Sequence, residues 1–381
     1  MSTAERPIAG SYDILVVGAG PAGSSAARAA AQKGASVLMV DRRQRIGVPV
    51  QCAEFVPQTI CRYVSFSTKC IAQTVETMIT HLPDQRSYEM KSPGFMLDRS
   101  LFGKELAASA VLSGAKISMG TRAVEFSQEG VGIEREGKYE RVRARVIIGA
   151  DGVRSSVAQW AGLPPGRTTI ALQYEVVLPH PQNHVDIYFH KDDEGGYAWF
   201  FPKGKTANVG IGVVSHRTSS LPNLMEGFLN RLIDLKKMGR IEIIGKTGGA
   251  IPCEKPRQTV FDNIMLAGDA AGHAHPITGA GILNAVIGGE MAGRIAAESL
   301  AKGDLNHLWQ YETEWRETYV SSLSYGAFKR DFLEENWNKP EIDFESLIRK
   351  TWVGFKEYYK DRRKIPLHPP FSKGEKEYPF A

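Results

Sequence analysis

The chain has 381 residues, of which 43% are hydrophobic and 23% charged, and a formal net charge of +5. That is enough chain for two domains or one elaborated domain around a large core, with the composition of an ordinary globular protein. The charge is too small to point to nucleic acid, although it suits an acidic cofactor or an anionic lipid surface, and four cysteines (Cys52, Cys61, Cys70 and Cys253) without a close CxxC pair exclude a disulfide scaffold and favour a reducing, cytoplasmic setting.

The first residues, MSTAERPIAGS, lack the basic, apolar and small-residue regions of a signal peptide. Residues 12–41 then read as a βαβ unit. A buried strand (Tyr12 to Val17) runs into Gly18-x-Gly20-x-x-Gly23, an Ala-rich helix follows, and a second strand (Ala35 to Val40) ends at Asp41. Gly18 permits a tight turn, Gly20 lets the backbone approach a pyrophosphate, and Gly23 lets the helix pack on the strand. The helix N-terminus directs unpaired N–H groups and a positive dipole end at the phosphates. Asp41 can accept two hydrogen bonds from a ribose diol.

Residues 42–93 read as a less regular segment containing GVPVQCAEFVP, which lacks clear periodicity and looks like a loop that caps something. Asp98 to Ser113 reads as an amphipathic helix with Leu101, Leu106, Val111 and Leu112 on one side. Short strands are expected at Lys116 to Met119, Arg122 to Ser127 and Val131 to Arg135, then a buried strand from Arg143 to Ala150 that ends in Asp151-Gly152. From Thr168 to Val214 the chain is β-rich, and a helix follows from Leu221 to Lys237. Strand-like pieces return at Ile241 to Ile244 and Gln258 to Phe261. A buried strand from Asn263 to Ala267 meets Gly268-Asp269, and a glycine- and alanine-rich helix runs to about Ala301. Residues 306–359 are aromatic-rich and helical in pattern. The least charged long stretch, Asn263 to Gly289, carries Asp269, two histidines and Pro276, which makes it a poor spanning helix.

The fold class is therefore α/β: a discontinuous Rossmann-like nucleotide-binding domain with an inserted β-rich substrate domain and a C-terminal helical region. The expected boundaries are 1–165 with 255–305 for the nucleotide domain, 50–95 with 166–254 for the substrate domain, 306–360 for the helical region and 361–381 for a tail.

Three separated segments converge on one ligand in this reading. They are the glycine loop, Gly149-Ala150-Asp151-Gly152-Val153-Arg154-Ser155, and Leu266 to Gly272 continued by Pro276-Ile277-Thr278-Gly279-Ala280-Gly281-Ile282. Asp269, at a strand end, can accept from a ribitol or ribose hydroxyl. The Gly279/Gly281 turn opens a helix whose bare N–H groups can stabilise negative charge at a flavin ring edge.

With these motifs the chain resembles the FAD-dependent aromatic-hydroxylase (glutathione-reductase-2-type) superfamily over residues 12 to about 300. Within it, GYAWFFPKG (Gly196 to Gly204) and PVQCAEFVP (Pro49 to Pro57) are similar to elements of the geranylgeranyl reductase family. The resemblance implies FAD bound by Gly18, Gly20, Gly23, Asp41, Arg99, Gly268 and Asp269. Asp151 is expected nearby, and Pro21, Ala22, Arg42, Gln51, Gly279, Ala280, Gly281 and Ile282 complete the cofactor contacts. Cys52 would face the flavin. Tyr197, Trp199 and Phe201 would line an apolar substrate cavity, which Phe55 reshapes, because Ala53-Glu54-Phe55 departs from the family's usual sequence after the cysteine. The implied reaction is reduction of C=C bonds of a geranylgeranyl-type isoprenoid by hydride from reduced flavin N5. NAD(P)H or ferredoxin would be the electron donor, and Cys52, Glu54 and Tyr197 the candidate proton donors. No second GxGxxG exists for a nicotinamide, so NAD(P)H would dock transiently. The alternative is a flavin monooxygenase that hydroxylates an aromatic or peptidyl substrate through a C4a-hydroperoxyflavin.

Plainer readings stand beside these. Trp199, Phe200 and Phe201 suit an ordinary core, Cys52 a small buried apolar residue, and His273 and His275 a structural role rather than a metal site. The stretch Phe355 to Lys364 reads as a solvated helix face that could also touch a membrane. Expected partners are a hydrophobic small molecule or lipid, with peripheral membrane contact.

Overall fold

The structure is a computed structural model and describes residues 9–180 and 182–360; the expected tail, 361–381, lies outside the described residues. The chain opens with β1 (Gly10–Val17), α1 (Pro21–Gln32) and β2 (Val37–Asp41), the βαβ unit read from the sequence. It then forms β3 (Phe55–Pro57), β4 (Ile71–His81) and β5 (Ser87–Leu97), followed by α2 (Arg99–Leu112), β6 (Lys116–Met119), β7 (Thr121–Ser127), β8 (Gly130–Arg135), β9 (Lys138–Gly149) and α3 (Ser156–Trp160). Next come β10 (Thr168–Val177), β11 (His184–Tyr188), β12 (Tyr197–Lys203), β13 (Thr206–Val214), α4 (Leu221–Asp234), β14 (Ile243–Pro252), β15 (Val260–Phe261) and β16 (Ile264–Leu266). The chain closes with α5 (Ile282–Lys302), α6 (Trp309–Trp315), a π-helical turn over Arg316–Val320, α7 (Ser321–Asn336) and α8 (Phe344–Thr351).

Among the described residues the strands form two eight-stranded sheets. The first has the order β15-β16-β9-β1-β2-β6, with the β7–β8 hairpin joined through β9. β1 pairs in parallel with both β9 and β2, and its last four residues are buried on both faces. A strand covered on both faces must be apolar throughout, which explains the unbroken Ile14-Leu15-Val16-Val17 run. α1 and α5 pack together on one face. Gly289 and Gly293 make this possible, since a Cβ at either would sit 2.1 Å from Ala22 O or 2.0 Å from Ala26 O. That close approach is the physical reason for the small-residue composition of α5.

The second sheet has the order β14-β10-β13-β12-β11-β4-β5-β3, antiparallel except for β11 against β4. Side chains of β12 alternate across it. Phe200 packs against Met225 and Phe228 of α4, whereas Trp199 and Phe201 join a cluster with the C-terminal residues Tyr325, Ile348 and Trp352. Gly210 of β13, opposite Trp199, leaves room for the indole, which an added Cβ would meet at 2.1 Å.

Three expectations are corrected. Residues 42–93 are more regular than expected: they hold β3, all of β4 and the first part of β5. Register shifts between Ile71 and Gln73 and between Val75 and Thr77 break the two-residue period by which a strand is read from sequence. The buried face of α2 consists of Phe102, Gly103, Leu106, Ala107 and Ala110, while Val111 and Leu112 are exposed. Close packing of small residues, rather than leucine content, sets which face turns inward. Finally, β14 extends well beyond Ile244 through Gly248 and Gly249, whose strand role only the pairing with β10 secures.

Candidate functional site

The glycine loop joins β1 to α1 at the crevice where β1 lies between β9 and β2, the point at which strand order reverses in such a sheet. Gly18 has φ +103°, and a Cβ there would lie 2.3 Å from Ala150 O. A Cβ on Gly23 would lie 1.7 Å from Gly18 O, so both positions exclude any larger residue. Gly20 differs: nothing stands within 4 Å of its would-be Cβ, which leaves open space where a pyrophosphate would approach the backbone. Pro21, at the start of α1, and Ala22 line the same cavity.

At the end of β2, Asp41 accepts from Ala19 N through Oδ2 and from Arg43 N through Oδ1, each at 2.8 Å. Each oxygen retains acceptor capacity for a diol. Arg42 is exposed and lines the cavity. Gln51 accepts from Arg43 at 2.8 Å and donates to Gly248 O at 2.6 Å, which ties the loop before Cys52 to β14.

Asp151 serves a more local purpose than expected. Its carboxylate accepts from Ser155 Oγ at 2.5 Å and Ser156 N at 2.7 Å at the start of α3. It lines the cavity, and burial raises its pKa. Asp269 follows β16, and its carboxyl opens onto the cleft. The cleft walls desolvate it and raise its pKa to about 6, against the opposite pull of Arg99. Arg99 begins α2, and its buried guanidinium is pushed down by desolvation. Its Nη1 has no hydrogen-bond partner within the protein. Arg99 itself lines the cavity, while this buried Nη1 lies against Gly103 of its own helix. Gly268, Gly279, Ala280, Gly281 and Ile282 line the cavity beside them, and Gly281 has no side chain to cap α5. These residues fit FAD: an open backbone cradle for the phosphates, Asp41 for a ribose, Arg99 and Asp269 as polar partners, and the uncapped start of α5 for a ring edge.

The cavity has a volume of about 1070 Å³ and continues past this polar part into an apolar chamber. Phe55, Tyr197, Trp199 and Phe201 line it, with Phe55 edge-on to Phe201 at 6.3 Å. Tyr197 donates to Thr278 O at 2.5 Å, joining the chamber to the turn that precedes α5. Trp199 and Phe201 thus belong both to a core cluster and to the cavity wall.

Cys52 sits where the two parts meet. Burial pushes its thiol up, with Arg99 acting in the opposite direction. Its carbonyl accepts from Gln173 Nε2 at 2.9 Å, and Gln173 Oε1 accepts from Trp199 Nε1 at 3.0 Å. Glu54, expected as a proton donor, has a different setting. It is 2% exposed, with φ +73°. One carboxylate oxygen accepts from Arg99 N at 2.8 Å, and the other from Lys203 Nζ and Asn208 Nδ2, both at 2.7 Å. With both oxygens engaged by donors, the side chain clamps the cysteine loop to the second sheet and to the start of α2.

Sequence reasoning missed Gln173, Lys203 and Asn208, because polar residues inside a strand look like its solvent face. It also missed the wall supplied by Tyr319, Tyr325, Trp352 and Tyr358. The expected solvated face over 355–364 is corrected within the described residues: Phe355 and Tyr358 are buried, and Tyr325 donates to the carbonyl of Tyr358. The three-residue spacing of Trp352, Phe355 and Tyr358 was the available signal. His273 is buried, with its pKa lowered to about 4 by desolvation, and its Nδ1 accepts from Gly268 N at 3.3 Å. Among the described residues no group of three His, Cys, Asp or Glu is placed to hold a metal.

Comparison with known proteins agrees with this geometry. The profile of the FAD binding domain matches residues 11–223. Digeranylgeranylglycerophospholipid reductase of Methanothrix thermoacetophila is 38% identical over 84% of this chain and 87% of its own length. Digeranylgeranylglycerophospholipid reductase 2 of Methanococcoides burtonii is 36% identical over 88% and 90%. Among solved structures, a geranylgeranyl bacteriochlorophyll reductase-like protein from Thermoplasma acidophilum superposes with TM-score 0.81 at 28% identity, covering 92% of this chain and 99% of that one. PqsL of P. aeruginosa, at TM-score 0.68 and 18% identity over 86% of this chain and 97% of that one, shares the fold alone.

Proposed function

The chain belongs to the geranylgeranyl reductase family of FAD-dependent oxidoreductases, and from that premise we propose that it reduces carbon–carbon double bonds of an isoprenoid lipid held in the apolar chamber. The observation that carries this reading is the continuity of one cavity, polar around Arg99 and Asp269 and aromatic around Tyr197, Trp199 and Phe201. An isoprenoid needs such a chamber, because it offers dispersion and area burial and almost no hydrogen bonding. Held by these residues, FAD would supply the hydride after reduction by NAD(P)H or ferredoxin.

The chain's own residues do the rest. Gly20 admits the pyrophosphate, Gly18 and Gly23 permit the tight turn and the close helix packing behind it, and Asp41 holds a ribose. Arg99 places a positive charge in the wall of the cofactor site. The aromatic walls exclude water and hold the alkene in place. The second carbon requires a proton. Burial raises both the Cys52 thiol and the Tyr197 hydroxyl, so both keep their protons at neutral pH. The Tyr197 proton is engaged on Thr278 O, which leaves Cys52 Sγ the freer donor. A lipid substrate also implies peripheral contact with a membrane; among the described residues no helix is long and apolar enough to cross one.

The test is anaerobic incubation of dithionite-reduced holoprotein with a geranylgeranyl lipid, read by mass spectrometry. Gain of two hydrogens per reduced bond is expected, with turnover falling about 10- to 100-fold in Cys52→Ala, the range of a general acid. Oxygen-dependent incorporation of an oxygen atom, with no anaerobic product, would establish the monooxygenase instead.

A further inference from the structure

One end of the apolar chamber is closed by an aromatic wall. Ring centroids stand 5.0 Å apart for Tyr197 and Trp352, 5.2 Å for Phe189 and Trp352, and 6.0 Å for Phe189 and Tyr197. Both polar tips are tied to separate elements: the Trp352 indole N–H donates to Thr80 Oγ1 of β4 at 3.0 Å, and the Tyr197 hydroxyl to Thr278 O at 2.5 Å. Behind the wall lies a separate void of about 10 Å³ that reaches Ile277, Leu333 and Arg330. Tyr197 and Trp352 face the main cavity and this void alike. The pair therefore closes the chamber, because the gap behind it holds no more than about one water.

We propose that Trp352 is a specificity-determining residue: it sets how deep an apolar chain can enter, and hence the chain length accepted with a double bond at the flavin-facing turn. The inference rests on the isoprenoid reading above. A phosphate or glycerol headgroup would lose its hydration at this wall, whose indole N–H and tyrosine hydroxyl are already engaged, so the apolar end of the chain enters first. Arg330 stands behind the wall and is already engaged, with Nη2 donating to Thr169 Oγ1 at 2.9 Å and Nε to Glu334. Each isoprene unit added to a ligand gains burial until the chain end meets Trp352. Beyond that point a longer chain must displace an indole fixed by packing and a hydrogen bond, or withdraw its double bond from the turn at Thr278.

The experiment titrates FAD-loaded protein with all-trans prenyl alcohols of increasing length, from geraniol to solanesol. Binding is followed by perturbation of the visible flavin band, and turnover by anaerobic reoxidation of the dithionite-reduced protein. Affinity is expected to rise with length and then break. Trp352→Leu should move the break to a longer chain, changing the affinity ratio of the two alcohols that flank it by about tenfold, and Trp352→Phe by less. An affinity that varies without a break overturns the proposal, as does a break unmoved in a Trp352→Leu protein that retains FAD. If neither variant folds, the length series on the unsubstituted protein tests the wall by itself. Normal FAD binding with no response to any prenyl alcohol overturns the isoprenoid reading, and this inference with it.

Discussion

Glu54 occupies a left-handed backbone conformation that non-glycine residues rarely adopt, and its side chain holds it there. Lys203 and Asn208 converge on one carboxylate oxygen, deep enough that removing the cation strands a buried charge. Lys203→Met should cost about 3–5 kcal/mol, measured by denaturant unfolding of the FAD-loaded protein. Adding Glu54→Gln should recover most of that loss, because the pair then vanishes together. His273 gives a pH dependence of definite sign. Its folded pKa of about 4 lies below the ordinary 6.5, so the fold favours the neutral ring. That contribution is fully present above pH 6.5 and is lost as pH falls toward 4. It amounts to about 3 kcal/mol at the conversion of 1.36 kcal/mol per pKa unit. Urea unfolding at a series of pH values should show this component in the unsubstituted protein and not in His273→Asn. Asp269 works the other way: its carboxyl, raised to about 6, favours the fold most when protonated, and that contribution fades as pH rises through the interval from 3.8 to about 6.

At the scale of elements, the contact of α1 with α5 couples packing to cofactor binding. Pro21 and Ala22 at the N-terminus of α1 line the cavity, and the same helix rests on Gly289 and Gly293 through the carbonyls of Ala22 and Ala26. Gly289→Ala would place a methyl group 2.1 Å from Ala22 O, so the helices must separate. The expected cost is about 1–3 kcal/mol, the usual range for overpacking. FAD should also dissociate more readily, as release of flavin fluorescence during thermal unfolding would show. The βαβ unit was legible because local and global demands agree there: buried strands, a glycine turn and a terminal acid are each dictated by neighbours close in sequence. β4 was not legible, since its bulges scramble the alternation, and neither was the buried face of α2, because Phe102 and the small residues pack closer than Leu112 can.

For the whole molecule, the second sheet is assembled from distant parts of the chain. β11 pairs in parallel with β4, more than a hundred residues earlier, at Asp186↔Ile79 and Tyr188↔His81. Residues 166–254 expressed alone would lack β3, β4 and β5 and would expose the cavity face of β12. Such a fragment should show no cooperative thermal transition by circular dichroism, whereas the full chain should show one. The C-terminal residues complete the same chamber. Tyr358→Ala should destabilise by about 3–5 kcal/mol, as for other buried aromatic truncations. It should also admit water, which quenching of flavin fluorescence by iodide would report.

The nucleotide-binding class is written in residues close together along the chain. Gly18, Gly20, Gly23 and Asp41 act through backbone conformation and close approach within one local unit, so their spacing carries their meaning. The sequence also marked Cys52, Tyr197 and Trp199 through family resemblance. The role of Glu54 comes from packing, since it depends on Lys203 and Asn208, which the fold brings to it from about 150 residues away. Only the tertiary structure, likewise, made Trp352 and Tyr358 part of the chamber. Burial and hydrogen-bond partnership are properties of the packed arrangement, and an aromatic or charged residue on a distant helix or strand carries no local mark of the partner it will meet.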